Sequence, residues 1–278
     1  MVQRRPVFAS GGLALALLAG LMLAALLPAR PARAEAPVDV ALILAVDVSY
    51  SMDEEEQKLQ REGYAVGITS RDVLQAIARG RYGRIAVAYV EWAGALEQQV
   101  LIDWRIVDGE ASAKAFAAEL LGKPYRRISR TSISGALIFA APLFDKLGLP
   151  ATRRVIDVSG DGPNNQGLPV EQARDDIVGR GITVNGLPIV LKRPYRSMFD
   201  IDDLDIYYRD CVIGGEGAFM IPVRDLKAFG DAVRTKLLLE VAGLMPAADP
   251  APRALPAAAG PTVSCMIGER QWRERWGN

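Results

Sequence analysis

The chain has 278 residues, of which 50% are hydrophobic, and its 33 basic and 33 acidic side chains balance to a net charge of zero. This size predicts one sizeable domain with additional segments, and the neutral balance gives no electrostatic footprint for a nucleic-acid partner. The absence of histidine excludes Ser-His-Asp and Cys-His catalysis and histidine-ligated zinc. Neither a Gly-x-Ser-x-Gly nucleophile motif nor a Walker phosphate loop occurs.

Residues 1–34 have the features of a secretory signal peptide. Arg4 and Arg5 form a positive start, residues 11–27 are apolar, and Ala32-Arg33-Ala34 fits a cleavage site before Glu35. We therefore predict export to the periplasm or the exterior. The apolar stretch is long for a signal peptide, so an uncleaved membrane anchor is the alternative, and a membrane association is expected only in that case.

Strand and helix patterns alternate along residues 38–243. Apolar or alternating runs predict six strands, at Val38–Val46, Arg84–Trp92, Gln98–Trp104, Arg154–Ser159, Ile182–Val190 and Ala218–Ile221. Helical patterns follow Ser51 or Asp53 and recur at Arg71–Arg79, Ala111–Leu121, Thr131–Lys146, Val170–Arg180 and Val223–Val241. This alternation predicts an α/β fold with a doubly wound, mostly parallel six-stranded sheet and helices on both faces. The third strand is expected to be antiparallel and at the edge.

Three further segments complete the predicted organisation. The insert 191–217 has helical spacing in its second half, residues 244–262 form a Pro/Ala-rich linker, and residues 263–278 form a tail. Because a disordered tail rarely keeps two tryptophans and a cysteine, we expect the tail to dock onto the domain. Cys211 and Cys265 are the only cysteines. They either form a disulfide in the exported protein or remain unpaired, since their proximity cannot be read from sequence.

Oxygen-bearing side chains follow the first strand at every second position. Asp47, Ser49 and Ser51 come directly after an apolar run that is typical of a strand buried on both sides. Residues spaced by two point the same way in extended backbone, so these three side chains should converge. They lie at the carboxyl end of a central strand, where open α/β sheets bind ligands. An all-oxygen set suits a hard cation such as Mg²⁺.

Two later segments match the same kind of site. Thr131 opens a helix in the pattern Thr-x-x-x-x-Ala-Leu, and Asp161-Gly162 ends the fourth strand. In this order, the three motifs resemble the metal-ion-dependent adhesion site of von Willebrand factor type A domains. The resemblance covers residues 38–243. Within the family, the chain is similar to a secreted bacterial subgroup. It departs from the family where Ser159-Gly160 replaces the more usual hydrophobic residue and threonine.

The resemblance implies a metal site and a protein partner. Ser49, Ser51 and Thr131 would supply hydroxyl ligands, and Asp47 and Asp161 would bind the ion directly or through water. The ion would be Mg²⁺, with Mn²⁺ or Ca²⁺ as substitutes, and it would hold an aspartate or glutamate carboxylate of a partner protein. No catalytic residue is implied.

Two alternatives remain open at this stage. One is a metal-dependent phosphotransferase or phosphatase with Asp47 as nucleophile, although Ser49 stands where such enzymes usually have aspartate. Glu91 is then the candidate general base, and a polar residue at a strand end is its simpler interpretation. The other alternative is a scaffold in which the metal site is idle.

Several other polar groups have both a structural and a functional interpretation. The acidic residues 53–56 fit a helix start better than metal binding, and a solvated face is preferred for the acidic residues 202, 203 and 205. The basic loop 126–130 is either solvated or steers an acidic partner. Asn164 and Asn165 either orient metal-bound water or are turn residues.

Overall fold

A five-stranded sheet forms the centre of the molecule in the computed structural model, which describes residues 36–190, 201–243 and 263–277. The strands lie in the order β3-β2-β1-β4-β5. Their bounds are β1 Val38–Asp47, β2 Ile85–Trp92, β3 Gln98–Val107, β4 Ala151–Gly160 and β5 Thr183–Pro188. β1 pairs in parallel with β2 and β4, β4 pairs in parallel with β5, and β3 is the antiparallel edge strand. The predicted edge strand is therefore confirmed.

Helices cover both faces of the sheet, as predicted. One face packs against α1 Glu54–Thr69, α2 Arg71–Arg79, α3 Glu110–Leu121 and α8 Phe229–Ala242. The other face packs against α4 Ile133–Ala140, α5 Leu143–Lys146, α6 Val170–Gly179 and α7 Leu204–Tyr207. The carboxyl end of β1 lies between crossovers to both sides, at the switch point of the sheet.

The prediction of a sixth strand at Ala218–Ile221 is wrong. Within the described ranges this segment lies beside β5 but makes only isolated bridges, Gly186 with Met220 and Ile189 with Val223. Pro188 has no N–H to donate to this segment, although its carbonyl accepts from the Val223 N–H. A continuous ladder therefore cannot form.

The insert and the tail are joined covalently. A disulfide links Cys211, in a π-helical turn Tyr208–Val212 that continues α7, to Cys265 just before α9 Ile267–Trp276. The predicted docking of the tail is confirmed, and of the two open alternatives for the cysteines the structure has the disulfide. The predicted signal peptide, the predicted linker 244–262 and residues 191–200 of the insert lie outside the described residues. Among the described helices, none has both the length and the apolar composition needed to cross a membrane.

Candidate metal centre

Four of the five predicted ligands form one hydrogen-bonded chain at the carboxyl edge of the sheet. The Ser49 backbone N–H donates to Asp47 Oδ1 at 2.7 Å. The Ser49 and Ser51 hydroxyls are 2.7 Å apart, and Ser51 Oγ donates to Asp161 Oδ1 at 2.6 Å. The loop after β1 and the loop after β4 therefore place a carboxylate at each end of a pair of serines.

Asp47 is fully buried and only partly satisfied. Its Oδ2 atom has no hydrogen-bond partner among the described residues. Burial raises the pKa of the Asp47 carboxyl well above its usual range, and the negative charge of Asp161 raises it further. Hydrogen bonds from Ser49 oppose this shift without cancelling it. The carboxylate therefore lies in a place that would be stabilised by a positive charge.

Gly160, at the end of β4, leaves room for the Asp47 side chain. A Cβ atom at position 160 would lie 2.9 Å from Asp47 Oδ2 and 3.0 Å from the hydroxyl oxygen of Tyr208. Tyr208 is fully buried, and its hydroxyl has no hydrogen-bond partner in the part of the chain that the structure describes. The glycine that departs from the family pattern thus lies in close contact with two polar atoms that have no hydrogen-bond partner in the described ranges.

Thr131 is linked to this site through Asn165. The Thr131 N–H donates to Asn165 Oδ1 at 3.0 Å, and the Asn165 N–H donates to the Thr131 carbonyl at 2.8 Å. Asn165 follows Asp161 in the loop after β4, so the second and third motifs are held together by one bond to the Asn165 side chain and one between the two main chains. Thr131 is buried. The pairing gives Asn165 a positioning role within the loop.

Asn164 connects the same loop to three other segments. Its Oδ1 accepts from the Ser134 N–H at 3.0 Å, and its Nδ2 donates to Glu269 of α9 at 2.7 Å. Its backbone N–H donates to the Tyr207 hydroxyl at 3.1 Å. Asn164 is fully buried. It therefore fixes the loop that carries Asp161 against α4, α7 and the tail.

The charged residues around the site have structural partners. Asp53 and Glu56 form a capping box at the start of α1, with Asp53 Oδ1 accepting from the Glu56 N–H at 2.8 Å and the Asp53 N–H donating to Glu56 Oε2 at 2.9 Å. Arg127 donates to the carbonyls of Met52 at 2.9 Å and Tyr50 at 2.7 Å, so part of the basic loop supports the loop after β1. On α7, Asp205 pairs with Arg224.

Glu91 is buried in an ion pair away from Asp47. Arg61 Nη2 lies 2.5 Å from Glu91 Oε1, and Gln99 Nε2 donates to Glu91 Oε2 at 3.0 Å. Alternation along β2 places Glu91 on the face of Tyr89, which packs against α1 and α3. Asp47 continues the opposite face, which includes Ala45. The geometry therefore favours the interpretation of Glu91 as a polar residue at a strand end over a role as general base.

The donor set at the carboxyl edge fits a hard divalent cation. It consists of carboxylate and hydroxyl oxygens, and the buried Asp47 Oδ2 lacks a partner in the described ranges. No cluster of three or more His, Cys, Asp or Glu residues that could hold a metal occurs in the described part of the chain. The predicted site has only two such residues, Asp47 and Asp161, and its other three ligands are hydroxyls, so it falls outside this definition.

A second buried ionic group, which we did not predict, lies between the sheet and α8. Lys236 Nζ is 2.8 Å from Asp157 Oδ1 and also contacts Glu240, which accepts from Asn185 Nδ2 at 3.0 Å. Burial and the charge of Asp157 raise the pKa of Glu240 to about 7, against the effect of Lys236. An aspartate inside the apolar run of β4 was the available sequence signal for this cluster.

Comparison with known proteins agrees with the predicted fold. The structure has the fold of von Willebrand factor type A domains, with a mostly parallel sheet and helices on both faces. The chain belongs to the family described as "Protein of unknown function (DUF1194)", whose profile matches residues 37–245. No curated protein matches the chain.

Three similar structures illustrate the range of proteins with this fold. The von Willebrand factor type A protein from Catenulispora acidiphila is 15% identical with a TM-score of 0.52, and the match covers 74% of this chain and 43% of that one. The von Willebrand factor domain of the type V pili tip protein Mfa5 from Porphyromonas gingivalis is 10% identical with a TM-score of 0.52, covering 76% and 98%. Proximal thread matrix protein 1 from the mussel byssus was solved with a zinc-occupied metal-ion-dependent adhesion site (MIDAS) motif. It is 13% identical with a TM-score of 0.50, and the match covers 75% of this chain and 49% of that one.

These likenesses establish the fold alone. The chain spans less than half the length of the Catenulispora and mussel proteins.

Proposed function

We propose that this protein is an exported protein-binding module that depends on a divalent cation. Asp47, Ser49, Ser51, Thr131 and Asp161 would hold the cation. Mg²⁺ suits this oxygen set best, and Mn²⁺ or Ca²⁺ are substitutes. The observation that carries the proposal is the buried Asp47 Oδ2 atom, which has no hydrogen-bond partner in the described ranges and faces the charge of a second carboxylate.

The chemistry of the ligands favours binding of an acidic partner. Three of the five proposed ligands are neutral hydroxyls, so a bound cation would remain able to accept a carboxylate oxygen of another protein. The chain's own residues would orient the ligands: Ser49 and Ser51 through their mutual hydrogen bond, and Thr131 through Asn165. The metal-occupied motif of the mussel matrix protein supports a divalent cation at a site of this kind.

Export is part of the proposal. Residues 1–34 carry the signal-peptide pattern, and the Cys211–Cys265 disulfide suits an oxidising compartment. The periplasm or the cell exterior would supply both the oxidising conditions and the protein partners.

The structure does not favour the phosphotransferase alternative. Glu91 is paired with Arg61 on the other side of the sheet.

Capture from a periplasmic extract tests the proposed function. Wild-type protein should retain a partner in MgCl₂ and release it in EDTA. Thr131→Ala and Asp161→Ala should weaken capture while leaving the folded circular dichroism spectrum unchanged. Thr152→Ala, an exposed threonine near the start of β4, is the matched control and should capture normally. Capture that persists unchanged in EDTA would contradict a metal-bridged function.

A further inference from the structure

A stack of arginine and tryptophan side chains leads away from Thr131 along the tail helix. The guanidinium carbon of Arg130 lies 3.2 Å from the centroid of the Trp272 ring. The Trp272 and Trp276 rings are stacked, with centroids 6.0 Å apart and planes at 28°. Arg275 lies 6.0 Å from the centroid of Trp276. We call these four residues the Arg–Trp ladder.

The ladder is held rigidly against the loop that carries Asp161. Glu269, one turn before Trp272, accepts a hydrogen bond from buried Asn164 at 2.7 Å. Gly268 packs so closely that a Cβ atom there would lie 2.1 Å from the Asn164 carbonyl oxygen. The disulfide at Cys265 fixes the start of the same helix. The position of the ladder beside the proposed cation site is therefore built into the fold.

Arg130 has an unusual backbone conformation. Its φ of 77° makes it the only residue other than glycine with a positive φ in the described part of the chain. The left-handed region costs a side chain about 1–2 kcal/mol. Residues held in this way cluster at binding sites. The strained residue immediately precedes Thr131, and its side chain is the first member of the ladder.

The arginines of the ladder have donors to spare. A guanidinium stacked on an aromatic ring keeps its in-plane N–H groups, whose geometry matches a carboxylate. Within the described ranges neither Arg130 nor Arg275 donates a hydrogen bond or forms an ion pair. Arg127 differs, because it donates to the Tyr50 and Met52 carbonyls. Trp276 is 63% exposed, so its ring is accessible to a partner.

The surrounding charge selects an acidic occupant. The loop 126–130 and α9 together contain six arginines and two glutamates, although the chain as a whole is neutral. One of those glutamates, Glu269, is buried against Asn164. The exposed surface around the ladder is therefore positive.

We propose that the Arg–Trp ladder binds an acidic segment of the partner protein, beside the single carboxylate that the cation site would hold. The inference rests on the proposed function and extends it. The partner would present several neighbouring aspartates or glutamates, of which one reaches the cation and others lie along Arg130 and Arg275. The tail helix, outside the matched family region, would thus add specificity to the site.

Fluorescence anisotropy with two labelled peptides of equal length tests the proposal. One probe is hexa-aspartate, and the other has a single aspartate among five serines. In MgCl₂, wild-type protein should bind hexa-aspartate about tenfold more tightly, equivalent to about 1.4 kcal/mol. Arg130→Gln with Arg275→Gln should weaken binding of hexa-aspartate more than binding of the single-aspartate peptide and so reduce this preference. Arg71→Gln with Arg79→Gln removes the same charge from exposed positions on α2 and should keep the preference.

The outcomes separate the ladder from the cation site. Equal affinity for the two peptides in wild-type protein, or a preference that is undiminished in the folded double variant, would overturn the proposal. The proposal would also be overturned if wild-type protein showed no preference between the peptides and instead bound phosphatidylglycerol vesicles in a way that required the ladder. Trp276→Ala should reduce the preference on its own. A preference for hexa-aspartate that persists undiminished in EDTA would support the ladder and contradict the metal-bridged function.

Discussion

Two pairs of buried carboxylates lie in this domain, and their surroundings differ. Asp157 and Glu240 lie between the sheet and α8, where both contact the ammonium of Lys236. Asp47 and Asp161 lie at the carboxyl edge of the sheet, bridged by two serine hydroxyls. In the described ranges Asp47 has no basic side chain as a partner. The first pair thus includes a cation from the chain itself.

The difference shows how a fold separates a structural ionic group from a binding site. Lys236 places a permanent positive charge against its two carboxylates, so this group has a cation in the isolated protein even though some of its carboxylate oxygens accept no hydrogen bond in the described ranges. Hydroxyls orient a carboxylate without neutralising it, which leaves a place for a cation from solution. Removing the Lys236 charge should therefore destabilise the folded protein. Removing the Asp47 charge should relieve its repulsion with Asp161. Four changes test this contrast.

Replacing Lys236 with methionine should have the largest effect. It leaves Asp157 and Glu240 buried without their cation, and breaking a buried pair in this way costs about 3–5 kcal/mol. The loss is measured by urea unfolding at pH 8. Lys227→Met, at an exposed lysine, should change stability by no more than about 0.5 kcal/mol. A Lys236→Met protein as stable as wild type would refute the interpretation of the cluster.

Raising the pH should destabilise the Lys236 cluster through Glu240. Because folding raises the pKa of Glu240 from about 4.5 to about 7, the folded state binds its proton more tightly than the unfolded state. This stabilisation is complete below about pH 4.5 and disappears as the pH rises through about 7, a change of about 3 kcal/mol.

The comparison with Glu240→Gln isolates this contribution. Denaturant unfolding from pH 5 to pH 8 should show a smaller decline in stability for the variant than for wild type. Exposed Glu274→Gln should follow the wild-type profile. Identical profiles for wild type and Glu240→Gln would show that Glu240 does not take up a proton on folding.

Replacing Asp47 with asparagine should have the opposite effect in the metal-free protein. The change removes a buried charge that faces Asp161, so stability in EDTA should be unchanged or higher. Mg²⁺ at 100 times its dissociation constant should stabilise wild type by about 2.7 kcal/mol and should not stabilise the variant. Thermal melts with MgCl₂ or EDTA measure both effects, with exposed Asp145→Asn as the control. An equal Mg²⁺ response in Asp47→Asn would disprove the site assignment.

Adding one methyl group beside Asp47 should have the smallest effect. A Cβ atom at position 160 would approach Asp47 Oδ2 to 2.9 Å, so Gly160→Ala should cost about 1–2 kcal/mol and weaken Mg²⁺ binding. Gly162→Ala is the matched control, because a Cβ atom there meets nothing within 4 Å. Equal melting temperatures and Mg²⁺ responses for the two variants would show that neither stability nor Mg²⁺ binding requires a residue without a side chain at position 160.

The sequence pattern was sufficient to predict the sheet wherever apolar runs were continuous. β1 and β2 are buried along their whole length or nearly so, and such runs are read directly. The motif order also placed Asp47, Ser49, Ser51 and Asp161 together. It did not predict the loss of the sixth strand, because the position of Pro188 opposite the bridging segment depends on tertiary pairing.

The remaining features depend on contacts between distant parts of the chain. Asp157 within β4 indicated a buried partner, but only the packing of α8 identifies Lys236 as that partner. Tyr208 belongs to the insert, whose position relative to Gly160 has no local signal. Asn164 and Asn165 are ordinary turn residues in sequence. Their roles follow from the loop that they connect to Thr131, α4 and α9.

The disulfide between Cys211 and Cys265 has a consequence for proteolysis. It joins residues 54 positions apart, and closing a loop of this size in the unfolded chain favours folding by about 4 kcal/mol. A single cut anywhere between the two cysteines would leave both fragments covalently attached. The fragment carrying α9 would then migrate with the rest of the domain on a non-reducing gel and separate only after reduction. A nicked molecule would therefore keep its C-terminal helix until a thiol reductant acts on it.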